Sequence, residues 1–131
     1  GVTFHEGWRK GAPGKNIVGV IGDSTFVHSG ITGLINAAYN KAKGVIMILD
    51  NATTAMTGGQ QHPATGLTIR NEPTKKLVLE DLCRACGADS VDVIDPTNLK
   101  EFQAVLEKRL SENTLSVIIS RHPCKLLRRQ V

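Results

Sequence analysis

The sequence predicts an α/β fold in which a parallel sheet carries helices on both faces, and three observations support that prediction. Short apolar runs recur along the 131 residues, each closed by glycine or a polar turn. Stretches with helical spacing lie between them. The first two runs are apolar at successive positions, as expected of strands buried on both faces, and alternating strands and helices imply a parallel sheet.

Residues 1–10, anchored by Val2, Phe4 and Trp8, read as the tail of a helix ending at Gly11, before a Gly-Ala-Pro-Gly turn. Asn16 to Ile21 is the first buried strand. Ile31, Leu34, Ile35, Ala38 and Ala42 share one face of a helix over residues 30–42, with Ser29 placed as its N-cap. Gly44 to Leu49 is the second strand, completing a strand-helix-strand unit with a right-handed crossover. The segment from Asp50 to Lys76 holds Gly58, Gly59, Pro63, Gly66 and Pro73 without a steady period, and loops this long are usually functional or disordered. Leu79 to Cys86 reads as a short helix stopped by Gly87, and Ser90 to Ile94 as a third strand. Asp95-Pro96 reads as the N-cap and first position of a helix presenting Leu99, Phe102, Val105, Leu106 and Leu110. Thr114 to Ser120 is the fourth strand.

Composition narrows the function classes. Sixteen basic and twelve acidic residues give a net charge of +4, and Lys125, Arg128 and Arg129 crowd the end of the chain as a solvated tail. One Trp, one Tyr and three Phe leave little for stacking bases, so no nucleic-acid partner is expected. No apolar run approaches a membrane span, and no charged-then-apolar leader precedes the body. Cys83, Cys86 and Cys124 are odd in number, which excludes a complete disulfide framework and fits a reducing, cytoplasmic setting. Cys83-x-x-Cys86 has half the spacing of a metal site, with His122 and Cys124 as potential further ligands. Its helical phase with Leu79 and Leu82 instead favours buried thiols packed as small apolar groups.

The chemistry concentrates where two strands end. The first runs into Gly22-Asp23-Ser24 and the second into Asp50-Asn51, so a carboxylate and a carboxamide reach the same edge of the sheet. In open α/β sheets, the carboxyl ends of parallel strands are where ligands bind. Asp23 and Asn51 offer the hard oxygens that Mg²⁺ prefers, the Thr53 carbonyl offers a third, and two diphosphate oxygens and a water complete an octahedron. Backbone N–H groups at Gly22-Asp23-Ser24 and the following helix start can donate to phosphate. These features point to thiamine diphosphate with Mg²⁺. A turn aspartate satisfying its own loop is the plain alternative for Asp23, but the matching Asp-Asn and the long Gly-rich loop weigh against it.

The stretch from Gly22-Asp-Ser-Thr-Phe-Val-His-Ser-Gly-Ile-Thr-Gly to Leu49-Asp-Asn-Ala-Thr-Thr-Ala-Met-Thr-Gly-Gly-Gln-Gln-His-Pro resembles the thiamine diphosphate-binding domain of the 2-oxo acid:ferredoxin oxidoreductases. Within them it is similar to the C-terminal part of the large (alpha) subunit of the indolepyruvate branch. The general thiamine diphosphate motif is Gly-Asp-Gly followed at a set distance by Asn-Asn. Ser24 and Asp50 depart from it, as that branch is expected to do. Met56-Thr57-Gly58-Gly59-Gln60 resembles the loop that covers the diphosphate. The strong match spans residues 16–66.

The resemblance implies that Asp23 and Asn51 bind Mg²⁺ by side chain and Thr53 by carbonyl, while Gly22, Ser24, Thr57 and Gly58 line the diphosphate. His28 and Ser29 lie just past the motif; for His28 a substrate-side role and a packing role at the helix start stand level, and no catalytic residue is assigned. The implied activity is oxidative decarboxylation of an aryl pyruvate, with coenzyme A accepting the acyl group and electrons leaving through iron–sulfur clusters to ferredoxin. The implied partners are the remaining domains of the alpha subunit, a beta subunit and ferredoxin, in an oligomer.

No Cys-x2-Cys-x2-Cys run is present, so 4Fe-4S clusters are expected only in a longer parent protein. Residues 1–131 are accordingly expected to be one partial domain, with the N-terminal part of the domain and any iron–sulfur domain outside it, and to be inactive alone. Two other functions fit parts of the sequence. One is a non-catalytic α/β assembly module. The other is a Gly-Asp-Ser-type serine hydrolase using Ser24, which lacks the expected late Asp-x-x-His.

Overall fold

The computed structural model describes residues 17–52 and 59–123. Four strands, β1 (Val18–Gly22), β2 (Gly44–Asp50), β3 (Ser90–Ile94) and β4 (Leu115–Arg121), form one parallel sheet in the order β1-β2-β4-β3. Helix α1 runs through Asp23–Thr25, a wider π-type stretch Phe26–Gly30, and Ile31–Tyr39. Helices α2 (Leu79–Ala85) and α3 (Leu99–Ser111) complete the elements.

Buried apolar runs place β2 and β4 at the centre. Val45 to Ile48 and Leu115 to Ser120 are buried position after position, so both faces of these strands need cover. On one face Ile46, Ile48, Leu115, Val117 and Ile119 pack with Phe26, Leu34, Leu79 and Cys83 from α1 and α2. On the other, Val45, Ile94 and Ile118 pack against Phe102, Val105, Leu106 and Leu110 of α3. Each such side chain removed from water contributes about 1.5–3 kcal/mol before conformational entropy is counted. The division of helices follows from topology. The chain moves from β1 through β2 to the far strand β3, then turns back to insert β4. A right-handed crossover run in the reverse direction must place its helix on the opposite face.

Two glycines allow the close packing. A Cβ on Gly30 would lie 2.8 Å from Ile21 Cδ1 and 2.9 Å from Phe26 Cδ2, where α1 sits on β1. Gly87 ends α2 with φ +103°, and a Cβ there would meet the Ala38 Cβ at 2.8 Å.

The strands fall where their apolar runs predicted, shifted by a residue or two, but β1 is not buried on both faces as expected: it lies at the edge of the described sheet, none of its residues is fully buried and Val20 is 55% exposed. The helix starts differ. Ser29 is not an N-cap: α1 already begins at Asp23, and the Ser29 hydroxyl donates to the Thr25 carbonyl (3.1 Å) within the helix. The π-type stretch rotates the facing of the later turns, so Leu34 and Ala37 are buried while Ile35 is half exposed. Asp95-Pro96 does not open α3. Asp95 closes its own turn by accepting from the Thr97 N–H (2.9 Å) and hydroxyl (2.7 Å), and Asn98 caps the helix through the Glu101 N–H. Leu99 therefore sits in the first turn and is exposed, off the packed face. The helix expected over residues 1–10 lies outside the described residues.

Candidate cofactor site

The parallel register of β1 and β2 pairs Gly22 with Leu49, which puts Asp23 and Asp50 at matching positions on the carboxyl edge of the sheet. β4 continues the row, with Arg121 paired to Asp50. The two strand ends singled out in the sequence are thus brought together.

Asp23 opens α1 and is 3% exposed, an unusual depth for a carboxylate. Its Oδ1 accepts the Ser24 backbone N–H at 2.8 Å. Its Oδ2 lies 3.2 Å from Nε2 of His62, whose side chain is fully buried. His62 Nδ1 accepts the Ala64 N–H (3.3 Å), so the ring proton is on Nε2 and is donated to Asp23. Burial pushes the Asp23 carboxyl above its ordinary range, and the nearby Asp50 charge adds to this, while the Ser24 N–H and His62 act against it.

Asp50 is handled differently. Its Oδ2 accepts Arg121 Nε at 2.6 Å, and the same guanidinium donates twice to Glu80 on α2 (2.7 and 3.0 Å). Arg121 thereby holds the Glu80 carboxyl below its usual range. Asp50 Oδ1 also accepts the Ala52 N–H (3.2 Å), closing a turn in which Ala52 has φ +59°. Asn51, half-buried, sits in this turn next to Asp50. A non-glycine residue in the left-handed region costs about 1 kcal/mol, and such strain collects at ligand sites. The His122 N–H donates to the Asp50 carbonyl (3.0 Å), extending the chain past β4 along the same edge.

The residues fit thiamine diphosphate and a metal. Gly22 is exposed, and a Cβ there would meet nothing within 4 Å, so the strand end opens onto free space. The first turn of α1 presents N–H groups at that point. Asp23 and Asp50 bring carboxylate oxygens within reach of each other at this edge, and an oxygen-only donor set suits Mg²⁺. Ser24 is half-buried. His28 is exposed in the π-type stretch and Ser29 is turned to its own helix. Thr53, Thr57 and Gly58 lie outside the described residues, as does Cys124. Cys83 is buried against the core with its thiol pushed up to about 12 by burial, and Cys86 is raised likewise, so both serve as apolar filler. Among the described residues no cluster of three His, Cys, Asp or Glu side chains forms a preassembled metal site.

The sequence alone assigns no role to His62, Arg121 or Glu80. His62 lies in the aperiodic loop, 39 positions from its partner. The available signal is Asp50 itself: a carboxylate at a buried strand end calls for a counter-charge, and Arg121 closes the last strand.

Helices on both faces of a parallel sheet, with an oxygen donor set at its carboxyl edge, define a cofactor-binding α/β domain of the thiamine diphosphate type. The sequence matches the family model for the thiamine pyrophosphate enzyme C-terminal TPP binding domain over residues 1–120, and the chain belongs to that family. Among similar proteins, the indolepyruvate oxidoreductase subunit IorA of Archaeoglobus fulgidus is 47% identical over 113 residues, which are 86% of this chain and 18% of that protein. The subunit of the same name from Pyrococcus horikoshii is 43% identical over 128 residues, 98% of this chain and 20% of that protein. The chain thus spans about a fifth of the length of these relatives. In fold it resembles the Rhodococcus jostii RHA1 thiamine diphosphate-dependent 4-hydroxybenzoylformate decarboxylase, with TM-score 0.65 at 20% identity, covering 91% of this chain and 22% of that one. No helix among the described residues is long and apolar enough to cross a membrane.

Proposed function

We propose that this chain holds the diphosphate and Mg²⁺ of thiamine diphosphate in an oxidoreductase that oxidatively decarboxylates aryl pyruvates, indolepyruvate foremost, to acyl-coenzyme A with ferredoxin as electron acceptor. The observation that carries the reading is the buried Asp23 carboxylate at the end of β1, held by the Ser24 N–H and the His62 imidazole and set beside the Asp50-Asn51 turn. The name shared by its relatives supports the substrate.

In this reading Asp23 and Asn51 ligate Mg²⁺ through side-chain oxygens and Thr53 through its carbonyl. Gly22, Ser24, Thr57 and Gly58 border the diphosphate. The α1 N-terminus donates N–H groups to phosphate, and the missing side chain at Gly22 lets the phosphate approach. When bound, thiamine diphosphate supplies an electron sink for decarboxylation. This chain's part is to bind and orient. His28 is the described side chain proposed for a substrate-facing role. The Arg121 bridge ties Asp50 to Glu80 and keeps the second carboxylate turned to a protein cation.

The pocket beside that bridge, bordered by Ala64, Lys76 and Leu79, has about 140 Å³. Sites that enclose a small molecule run to about 300–1,000 Å³. The cofactor is accordingly proposed to lie on an open edge that other domains of the alpha subunit and a beta subunit complete, in a cytoplasmic oligomer. 4Fe-4S clusters belong to that parent protein. Residues 1–131 are proposed to be a partial domain, inactive alone.

The test is ferredoxin reduction by the full-length protein with indolepyruvate and coenzyme A. Reduction requires both thiamine diphosphate and Mg²⁺ and is lost in Asp23→Ala, while the 131-residue chain alone shows none. Reduction without either cofactor, or a full-length protein inert toward every aryl pyruvate, would refute the proposal.

A further inference from the structure

We propose that His62 is the positioning residue of the metal carboxylate: its Nε2–H bond to Asp23 Oδ2 sets the rotation of that carboxylate toward the cation. The inference rests on the reading of Asp23 as a metal ligand.

Four observations carry it. Asp23 and His62 meet at 3.2 Å in a place where neither side chain is more than 4% exposed, so water does not substitute for either partner. The ring is fixed from its other side, because the Ala64 N–H occupies Nδ1. The backbone bearing it is fixed as well. The His62 carbonyl accepts both the N–H (2.9 Å) and the hydroxyl (2.8 Å) of Thr65, and the Pro63 carbonyl accepts the Leu77 N–H (2.9 Å). Finally, the remaining Asp23 oxygen is held by the Ser24 N–H. Each carboxylate oxygen thus carries one protein donor, and the Asp50 carboxyl at the neighbouring strand end also comes within hydrogen-bonding reach of Asp23. A carboxylate held by one donor per oxygen cannot swing about its Cβ–Cγ bond, and its orientation is set before a cation arrives. Outer partners of this kind orient metal ligands, and losing one typically costs about 10–100-fold in metal affinity.

His62 also belongs to the loop that returns from the segment between β2 and α2. Its bond to Asp23 therefore pins that loop to the start of α1, across 39 positions of sequence.

Two substitutions separate positioning from mere support of the turn. The glutamine amide nitrogen stands about where histidine Nε2 does, so His62→Gln keeps a donor toward Asp23 and lacks the acceptor for Ala64. The asparagine amide reaches only as far as Nδ1, so His62→Asn keeps a partner for the turn and loses the donor toward Asp23. The experiment is calorimetric titration of Mg²⁺ into the full-length protein with saturating thiamine diphosphate, with melting temperatures taken in the absence of metal. Expected are a roughly 10–100-fold weaker Mg²⁺ affinity in His62→Asn and a value within about threefold of the parent in His62→Gln. Equal losses in both variants, or a larger loss in His62→Gln, would show that His62 only supports the turn and overturn the proposal. So would unchanged affinity in His62→Asn. Asp23→Ala separates the two layers of the argument. If it abolishes Mg²⁺ binding while the His62 variants bind normally, the metal site stands and the positioning role falls; if it binds Mg²⁺ like the parent, the metal reading falls and the positioning role with it.

Discussion

The carboxylates on the α3 side of this sheet and the Asp23 carboxylate at its carboxyl edge are treated in opposite ways. On the α3 side, Arg109 donates to both oxygens of Asp92 (2.6 and 3.0 Å) and both of Glu112 (3.2 and 2.9 Å). On the carboxyl edge, Asp23 is more deeply buried, yet its donors are a backbone N–H and an imidazole. A carboxylate matched by a guanidinium serves to hold the fold together. One buried without such a cation destabilises the empty fold, and that is tolerable where an external cation completes it. The contrast agrees with the proposed placement of the cation at Asp23 and does not depend on the motif.

The difference is sharpest in Asp23→Ala, where Mg²⁺-dependent binding of thiamine diphosphate by the full-length protein falls more than about 100-fold, beyond the loss of an outer partner. Calorimetric titration measures it. At the other flank, Arg109→Leu leaves two partly buried carboxylates without their donor. It lowers stability by about 1–3 kcal/mol in urea unfolding and leaves cofactor affinity unchanged. An equal loss of cofactor affinity in both variants would break the division of labour.

The pH dependences have opposite signs. The Asp23 carboxyl lies above its ordinary 3.8, so its contribution favours the fold below that pH and is lost as pH rises through the folded value. The Glu80 carboxyl lies below its ordinary 4.5, so its contribution is present above that pH and is lost as pH falls through the depressed value. In metal-free melting curves between about pH 3 and pH 7, Asp23→Asn removes the decline on the rising limb, and Glu80→Gln flattens the acid limb. The smallest effect is at the turn between them. Ala52→Gly relieves the φ of +59° but loosens the unfolded chain, and the two nearly cancel, leaving stability within about 0.5 kcal/mol.

Much of this is legible in the sequence. Successive apolar residues announce β2, buried on both faces over Val45 to Ile48; the same pattern announces β1 as a strand but overstates its burial, and β4 buries Ser116 and Ser120 among its apolar residues. The Gly22-Asp23-Ser24 and Asp50-Asn51 ends are legible because parallel strands put their carboxyl ends on one edge. The features that escape depend on contacts between distant residues or on local competition. His62 and Arg121 acquire their roles only through the register of the assembled sheet. Asp95 resembles a cap because its side chain does bond nearby N–H groups, but it closes a turn three residues before the helix. The start of the helix after β1 is hidden because its first turns carry Ser24, Thr25, His28 and Ser29, polar residues that break the apolar period without breaking the backbone.

The place of β4 governs how the domain can assemble. Its seven residues pair with β2, whose partners stand some seventy positions earlier, and with β3. Until β4 arrives, β2 has an open backbone edge on one side and β3 has no neighbour at all. Such long-range parallel pairings are slow to close and leave sticky edges exposed meanwhile. A chain emerging from the ribosome holds its carboxyl edge half-built until Arg121 has been added, and the same strand that completes the sheet delivers the cation that quiets Asp50. Acquisition of the sheet and acquisition of the site are therefore one event.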